Sequence, residues 1–142
     1  ATRASGVAFV AFSPVARGFL ADAVTDPETF APKDIRRAHP RFTPEHWPAN
    51  AALLPAWRDL AVAAGCSPAQ LALAWVLSRG DHVVAIPGTT RAEHVRENLA
   101  AADLAVDPEL LRRAGDLISA TTVSGPRYNA VQSREVFAED AA

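Results

Sequence analysis

Two uninterrupted apolar runs are the clearest feature of the hydrophobic pattern. Val7–Phe12 contains six apolar residues without polar alternation, and Val83–Ile86 contains four. Short runs of this kind predict strands that are buried on both faces, as in a parallel sheet. Ser13-Pro14 follows the first run and Pro87-Gly88 the second, and a strand ends there because proline donates no ladder hydrogen bond. The pattern therefore predicts two parallel strands, each followed by a proline turn.

Periodic apolar residues predict four helices in the rest of the chain. Asn50 is the predicted N-cap of the first helix, which ends at Gly65. Capping-box patterns begin the second helix at Ser67-Pro68-Ala69-Gln70 and the third at Thr90-Arg91-Ala92-Glu93, and Asp107-Pro108 begins the fourth. The predicted core residues on these helices are Leu53, Leu54, Trp57, Leu60, Ala61, Ala64, Leu71, Ala72, Trp75, Val76, Leu110, Leu111, Ala114, Leu117 and Ile118.

Residues 21–48 form a long stretch that is predicted to be irregular. Five prolines exclude a long helix from it, namely Pro27, Pro32, Pro40, Pro44 and Pro48. A loop longer than ~15 residues in a compact domain is usually functional or disordered. We interpret Phe42 and Trp47 as anchors that pack the loop onto the body of the domain; the alternative is a loop that covers a cleft.

The composition excludes several classes of protein. The chain has 142 residues, 49% of them hydrophobic, which is enough for one modest core. The formal net charge of −2 provides no basic field for nucleic acid or anionic lipid. No apolar run reaches the ~20 residues that span a bilayer, and the single cysteine, Cys66, has no partner for an internal disulfide. A cytoplasmic protein with no nucleic-acid or membrane partner is therefore expected.

The two predicted strands do not form a stable sheet by themselves. Their hydrogen-bonding partners are expected outside the chain, so residues 1–142 are interpreted as one partial domain of a larger α/β fold. Residues 121–142 are predicted to be a less regular C-terminal segment with a mobile end at Glu139–Ala142. The chain begins with Ala1 and has no methionine, which also favours a fragment.

Candidate chemistry lies where the two strands end. Ligands of parallel α/β proteins bind at the carboxyl ends of the strands. Ser13 and Arg17 follow the first strand, and Gly88, Thr89, Thr90 and Arg91 follow the second. Hydroxyl groups, a glycine and a helix N-terminus suit an anion, and arginine adds a charge that binds phosphate in a bidentate manner. The alternative is that these are ordinary turn and capping residues.

Other chemistries have little support in the sequence. The four histidines, His39, His46, His82 and His94, have no zinc-ligand spacing, so no metal site is predicted. The sequence contains no G-x-S-x-G elbow, no P-loop and no G-x-G-x-x-G motif. The sequence therefore has no motif that indicates a hydrolase, an NTPase or a Rossmann dinucleotide-binding protein.

Several segments resemble the aldo-keto reductase family. Ala11–Leu20, with the sequence AFSPVARGFL, is similar to the AYSPLGRGFL segment of that family. Ile86–Arg91, with Glu97-Asn98-Leu99, is similar to its IPGTxR and EN segments. Further landmarks follow the family order: Pro40-Arg41-Phe42, Ala69–Leu77 and Gly125-Pro126-Arg127-Tyr128. The resemblance extends over essentially the whole chain.

The resemblance implies a (β/α)8 TIM barrel, of which this chain supplies only the C-terminal part. Val7–Phe12 would be strand seven and Val83–Ile86 strand eight. It also implies an NADP(H) site in which Phe12 stands where the family usually has a tyrosine against the nicotinamide. The implied pyrophosphate contacts are Ser13, Pro14, Val15, Arg17 and Gly18. The implied contacts of the adenosine phosphate and the adenine are Gly88, Thr89, Thr90, Arg91, His94, Glu97 and Asn98. Val15 and Ala16 replace a leucine and a glycine of the family pattern.

The activity that the resemblance implies is the NADP-dependent reduction of aldehydes or ketones by hydride transfer. The catalytic Asp, Tyr, Lys and His of the family belong to earlier strands, so no catalytic residue is assigned and the chain alone is predicted to be inactive. The expected partners are a small carbonyl substrate and the missing N-terminal part of the barrel or another subunit. The alternative is a stand-alone nucleotide-binding or regulatory half-barrel that pairs with another subunit, without catalysis.

Overall fold

Within residues 2–136 the chain forms two strands and six helices joined by short 3-10 turns. The computed structural model describes residues 2–136, so the end predicted to be mobile, Glu139–Ala142, lies outside the described residues. In chain order the elements are β1 (Phe9–Phe12), α1 (Trp47–Ala51), α2 (Leu54–Ala63), α3 (Pro68–Leu77), β2 (Val83–Ile86), α4 (Ala92–Ala100), α5 (Pro108–Leu117) and α6 (Ala130–Val136).

The two strands pair directly with each other in parallel. Phe9 lies opposite Val83 and Phe12 opposite Ile86, which confirms the predicted parallel pair. β1 begins at Phe9 rather than at Val7, because the backbone N–H of Val7 donates to the Thr2 carbonyl at 3.0 Å in a local turn. The parallel register places the carboxyl ends of both strands at the same edge of the sheet.

The strands are not buried on both faces, and that prediction is wrong for this chain. Phe9, Val10, Phe12, Val84 and Ile86 are each about half exposed, between 49% and 54%. The sheet has only two strands within residues 2–136, so most of its apolar surface has no covering layer there. These residues have the apolar pattern of a central strand, but within residues 2–136 neither strand has a second neighbouring strand.

The hydrophobic core lies among α2, α3, α5 and the turn after β1. Trp57 on α2, Leu71 on α3 and Ala114 on α5 are at most 2% exposed. The indole N–H of Trp57 donates to the carbonyl of Leu20 at 2.9 Å, which attaches the turn after β1 to the core. Seven of the fifteen predicted core residues are buried in this core, and six more, Trp75 among them, pack against it partly buried, whereas Leu53 and Val76 are not part of it.

No single helix within residues 2–136 has the length and apolarity to cross a membrane. The segment Trp47–Ala63 and helix α3 together are long and apolar enough for a membrane span by length and composition alone, but the chain bends by 77° between them. The apolar residues Leu54, Trp57, Leu60 and Leu71 of these helices belong to the core.

Two of the four predicted helix starts are confirmed. Ser67 and Gln70 form the complete capping box at the start of α3, and the Asp107 carboxylate accepts from the N–H of Glu109 at the start of α5. The Thr90 capping box is wrong, because Arg91 is the N-cap of α4 in an extended conformation and makes no side-chain cap bond. The prediction that Asn50 caps a helix is also wrong, since Asn50 lies inside α1 and is 2% exposed.

The long irregular stretch contains only short 3-10 turns before α1 begins at Trp47. Phe42 is buried, and its ring stacks on Trp47 with the centroids 5.9 Å apart. Trp47 also meets the edge of Phe19 at 5.9 Å. The interpretation of Phe42 and Trp47 as anchors is therefore confirmed. Arg36 Nη1 donates to the carbonyl of Arg17 at 3.3 Å, so the stretch also contacts the turn after β1.

Candidate functional site

The turn after β1 has an unusual backbone. Ser13, Ala16 and Arg17 have φ angles of 51°, 49° and 57°, and Gly18 follows at 94°. Residues other than glycine rarely adopt this left-handed region, because Cβ crowds the carbonyl oxygen. Two backbone bonds of 3.0 Å close the turn, from the Ala16 N–H to the Ser13 carbonyl and from the Gly18 N–H to the Val15 carbonyl. Such strain concentrates at functional sites.

Replacing Ala16 with glycine is expected to stabilise the protein by about 0.5–1 kcal/mol, because glycine adopts this φ without a Cβ penalty. Denaturant unfolding measures the change in the free energy of unfolding. Ala56→Gly on the exposed side of α2 is the matched control, and it is expected to destabilise by up to about 1 kcal/mol. Equal destabilisation by both variants would contradict the left-handed geometry of Ala16.

The turn after β2 presents an open glycine and a hydroxyl group. A Cβ on Gly88 would meet no heavy atom within 4 Å, so this stretch of backbone faces free space. The Thr89 hydroxyl accepts from the Arg91 N–H at 3.2 Å and lies 3.3 Å from Nδ1 of His94. These contacts connect the turn to the first residues of α4.

The two turns line one cleft of about 570 Å³. Ten of the thirteen residues predicted for the site line it: Ser13, Pro14, Val15, Arg17, Gly18, Gly88, Thr89, His94, Glu97 and Asn98. The structure therefore brings the two strand-end turns together, as the parallel register requires. Hydroxyl groups, one guanidinium and one imidazole surround the cleft, which is the set of groups that binds phosphate.

Glu97 is held in the cleft by residues of α3. The Ser67 hydroxyl donates to its carboxylate, and the side-chain amide of Gln70 donates to its backbone carbonyl at 3.1 Å. The capping box of α3 therefore also positions the far wall of the cleft. A fixed carboxylate accepts hydrogen bonds from N–H groups and repels phosphate. The cleft therefore has an anion-binding part and a separate hydrogen-bond acceptor.

Three predicted residues lie outside this cleft. Thr90, in the turn after β2, is exposed. Arg91 is also exposed, and it pairs with Glu93 on the surface, with its Nε donating to Glu93 Oε1 at 2.7 Å. Phe12 lines a neighbouring cavity of about 400 Å³, which shares Ser13, Pro14 and Arg17 with the cleft.

The neighbouring cavity contains three basic residues besides Arg17, and the sequence pattern gave these three no role. Arg17, Arg41, Arg127 and His39 line it, and no acidic residue is among the lining residues that the structure describes. Burial lowers the pKa of Arg41, and the charges of Arg127 and Arg17 lower it further. Burial likewise lowers the pKa of His39, with Arg17 adding to the effect and a hydrogen bond to the backbone of Arg127 opposing it.

Arg127 also covers an aromatic ring at the end of β1. Its guanidinium carbon lies 4.6 Å from the centroid of Phe12 and 5.4 Å from that of Tyr128. Arg41 and Arg127 belong to the family-like segments Pro40-Arg41-Phe42 and Gly125-Pro126-Arg127-Tyr128. No sequence spacing predicts that these two arginines line the same cavity.

Comparison with known proteins decides the family. The model of the aldo/keto reductase family matches residues 1–117. The chain belongs to this family. It is 31% identical over 137 residues to the aldo-keto reductase yakc [NADP(+)] of Schizosaccharomyces pombe, with 96% of this chain and 40% of that protein covered.

Two further relatives are fungal aldo-keto reductases. One from Gibberella moniliformis is 34% identical over 132 residues, which cover 92% of this chain and 40% of the relative. Aldo-keto reductase str7 of Strobilurus tenacellus is 30% identical over 125 residues, which cover 88% of this chain and 37% of the relative. The chain therefore spans about two fifths of the length of these curated aldo-keto reductases.

The described residues contain no group of three His, Cys, Asp or Glu side chains that is placed to hold a metal ion. Cys66, which is partly buried, is not part of either cavity. Burial raises the pKa of its thiol, which disfavours the reactive thiolate.

Proposed function

We propose that this chain supplies most of the cofactor-binding loops of an NADP-dependent aldo-keto reductase that reduces aldehydes or ketones to alcohols. In this proposal β1 and β2 are strands seven and eight of a (β/α)8 barrel, and residues 1–142 are its C-terminal part. The cleft formed by the two strand-end turns is the observation that carries the proposal. The NADP(+) in the name of the Schizosaccharomyces pombe relative supports the choice of cofactor.

The cleft fits a dinucleotide at its phosphates. Open space beside Gly88 allows phosphate to approach the backbone, and Ser13, Arg17 and Thr89 supply donors around it. The proposed pyrophosphate contacts are Ser13, Pro14, Val15, Arg17 and Gly18. The proposed adenosine-phosphate and adenine contacts are Gly88, Thr89, Thr90, Arg91, His94, Glu97 and Asn98. When bound, NADPH supplies the hydride.

Phe12 is proposed to lie against the nicotinamide. Its side chain is about half exposed at the carboxyl end of β1. A phenyl ring retains the flat apolar face that stacks on another ring, although it has no hydroxyl. The chain therefore binds and orients the cofactor in this proposal, whereas the proton donor for the carbonyl oxygen lies in other parts of the barrel.

The other parts of the barrel are also the proposed partner of the exposed sheet. The half-exposed strand residues form an apolar surface, and the outer edge of each strand has unpaired backbone groups within residues 2–136. A stand-alone half-barrel would need a second subunit to cover the same surface. A defined dimer whose tryptophan fluorescence is quenched by NADPH would favour that second candidate.

Carbonyl-dependent oxidation of NADPH tests the proposed function. The assay compares the 142-residue chain with the protein encoded by the same reading frame when all continuous upstream codons are included. The proposal predicts no turnover by the short chain and turnover of 4-nitrobenzaldehyde by the longer protein. Turnover by the short chain would contradict the absence of catalytic residues, and failure of the longer protein to bind NADPH would overturn the cofactor site.

Removing the carboxylate of Glu93 is expected to tighten NADPH binding. Glu93 pairs with Arg91 at the surface, and an exposed pair of this kind is weak, so Glu93→Gln is expected to lower the Kd for NADPH by up to about fivefold. NADH, which has no adenosine 2′-phosphate, is expected to bind equally well before and after the change. Glu109→Gln, which breaks the exposed pair with Arg112, is the control, and an equal effect of both variants would assign no role to Arg91.

A further inference from the structure

We propose that the cavity beside Phe12 is an anion-binding subsite that selects carbonyl substrates carrying a carboxylate or a phosphate. This inference rests on the proposed reductase function. The subsite consists of Arg41, Arg127 and His39, with Arg17 at its border with the cofactor cleft. It assigns a class of substrate, and the shared chemistry is an anionic group on a small aldehyde or ketone whose oxygen atoms accept hydrogen bonds.

The unpaired positive charge of this cavity is the first argument. Several other arginines form ion pairs with carboxylates: Arg36 with Asp34, Arg58 with Asp22, Arg91 with Glu93, and Arg112 with Glu109 and Asp116. Arg17, Arg41 and Arg127 have no such partner among residues 2–136. Like charges placed together at a partly buried site are unfavourable unless a counter-charge joins them. A bound anion provides that counter-charge.

The position of Arg41 is the second argument. Its Nε donates to the carbonyl of Gly125 at 3.2 Å, which fixes the guanidinium between the long loop and the C-terminal segment. The described residues accept no hydrogen bond from its two terminal nitrogens. A fixed guanidinium with free terminal N–H groups is the arrangement that binds carboxylate or phosphate in a bidentate manner.

His39 adds a buried polar atom to the same cavity. The residue is 3% exposed, and its Nδ1 has no hydrogen-bond partner within the described part of the chain. Buried polar atoms without a partner are rare in native proteins. A ligand in the cavity would give this nitrogen a partner.

The walls of the cavity suit the rest of a small substrate. The volume is about 400 Å³, which lies within the range of small-molecule sites. Apolar side chains line it beside the basic residues: Phe12, Phe19, Leu20, Phe42, Val76 and Ile118. An apolar body with one anionic end therefore matches both the charge and the surface, and Phe12 places the proposed nicotinamide position in the same cavity.

The test uses the protein as its gene encodes it, loaded with NADPH. 4-Carboxybenzaldehyde is compared with neutral 4-nitrobenzaldehyde, and glyceraldehyde 3-phosphate is compared with glyceraldehyde. The measured quantity is the ratio of kcat/KM for the anionic substrate to that for its neutral counterpart. We expect Arg41→Gln to lower this ratio about tenfold, mainly through KM, because one charge-assisted contact is lost. Arg41→Lys is expected to restore part of the ratio.

Two further variants keep the test independent of the folding of Arg41→Gln. Arg127→Gln changes an exposed side chain and is expected to lower the same ratio. Arg37→Gln removes an exposed charge from the same loop outside the cavity, and it is expected to leave the ratio unchanged. A ratio near one in the unsubstituted protein, or an equal fall in Arg37→Gln, would overturn the inference.

A binding measurement without turnover separates failure of the subsite from failure of the proposed function. Benzoate and inorganic phosphate are titrated into the protein by calorimetry, with and without the Arg41→Gln change. Binding of either probe that depends on Arg41 supports the subsite, and the probe that binds distinguishes a carboxylate from a phosphate. Normal NADPH binding and turnover of the neutral aldehyde, without binding of either probe, would overturn only the subsite. Weaker NADPH binding in Arg41→Gln at an unchanged ratio would assign the charge to the cofactor and would also overturn it.

Discussion

Replacing Gly88 with valine is expected to weaken NADPH binding about 100-fold or more, which corresponds to roughly 2.7 kcal/mol. Gly88 lines the cleft, and a Cβ at this position meets no heavy atom within 4 Å. The branched side chain would therefore fill the space through which phosphate approaches the backbone, without displacing any neighbouring residue. Calorimetric titration with NADPH measures the change.

Two control variants make this result specific. Gly88→Ala adds a smaller group and is expected to cause a smaller loss of affinity, so that the loss rises with side-chain size. Ala100→Val on exposed α4, outside the cleft, is expected to leave the affinity unchanged. All variants are expected to unfold at about the same temperature as the unsubstituted protein. Unchanged NADPH affinity in Gly88→Val would mean that the cleft is not the phosphate site.

Replacing Asn50 with leucine is expected to reduce the free energy of unfolding by about 3 kcal/mol or more, since each orphaned buried polar group costs about 1–3 kcal/mol. The side-chain amide of Asn50 donates to the carbonyls of Arg41 and Ser124, both at 3.0 Å, and its oxygen accepts from the Ser124 N–H at 2.8 Å. Leucine has a similar volume but leaves all three backbone groups without this partner. Denaturant unfolding measures the loss.

Asn98→Leu is the matched control for Asn50→Leu. Asn98 is half-buried on α4, and its side chain makes no hydrogen bond within residues 2–136. The expected change in the free energy of unfolding is about 0.5 kcal/mol or less. If both leucine variants were equally stable, the three bonds of Asn50 would not be what connects the long loop to the C-terminal segment.

The local features of the fold were predictable where one short segment determines them. The capping box at Ser67 and the N-cap at Asp107 depend on residues two or three positions apart, and both are confirmed. Thr90 fits the same local rule, but the backbone of the turn after β2 places Arg91 at the N-cap instead. Thr89 and Thr90 both have a hydroxyl group in this turn, and the Thr89 hydroxyl is the one that accepts from the Arg91 N–H.

The features that depend on distant residues were not predictable. Asn50 has the residue type of a cap, but its partners are the backbone groups of Arg41 and Ser124, which only the tertiary fold brings together. The basic cavity likewise joins Arg41 to Arg127 across most of the chain. Sequence periodicity describes which face of an element is apolar, and it contains no information on such long-range pairs.

The candidate cleft was predictable because strand direction determines it. Once Val83–Ile86 is parallel to β1, both following turns lie at the same edge, and the polar residues after each strand face one space. The position of Ala16 adds a physical reason for the family pattern. The AYSPLGRGFL segment that Ala11–Leu20 resembles has glycine at the position of Ala16, and the φ of 49° observed there is one that glycine adopts without strain.

Hydrogen–deuterium exchange with and without NADPH is the measurement that most directly tests whether the two turns form one cofactor site. The protein as encoded is used, and exchange is followed by peptide across residues 13–18 and 87–98. The proposed site predicts that NADPH slows exchange in both segments at the same ligand concentration, and that Gly88→Val removes the protection from both. Protection of only one segment, or of neither in a protein that binds NADPH, would contradict it.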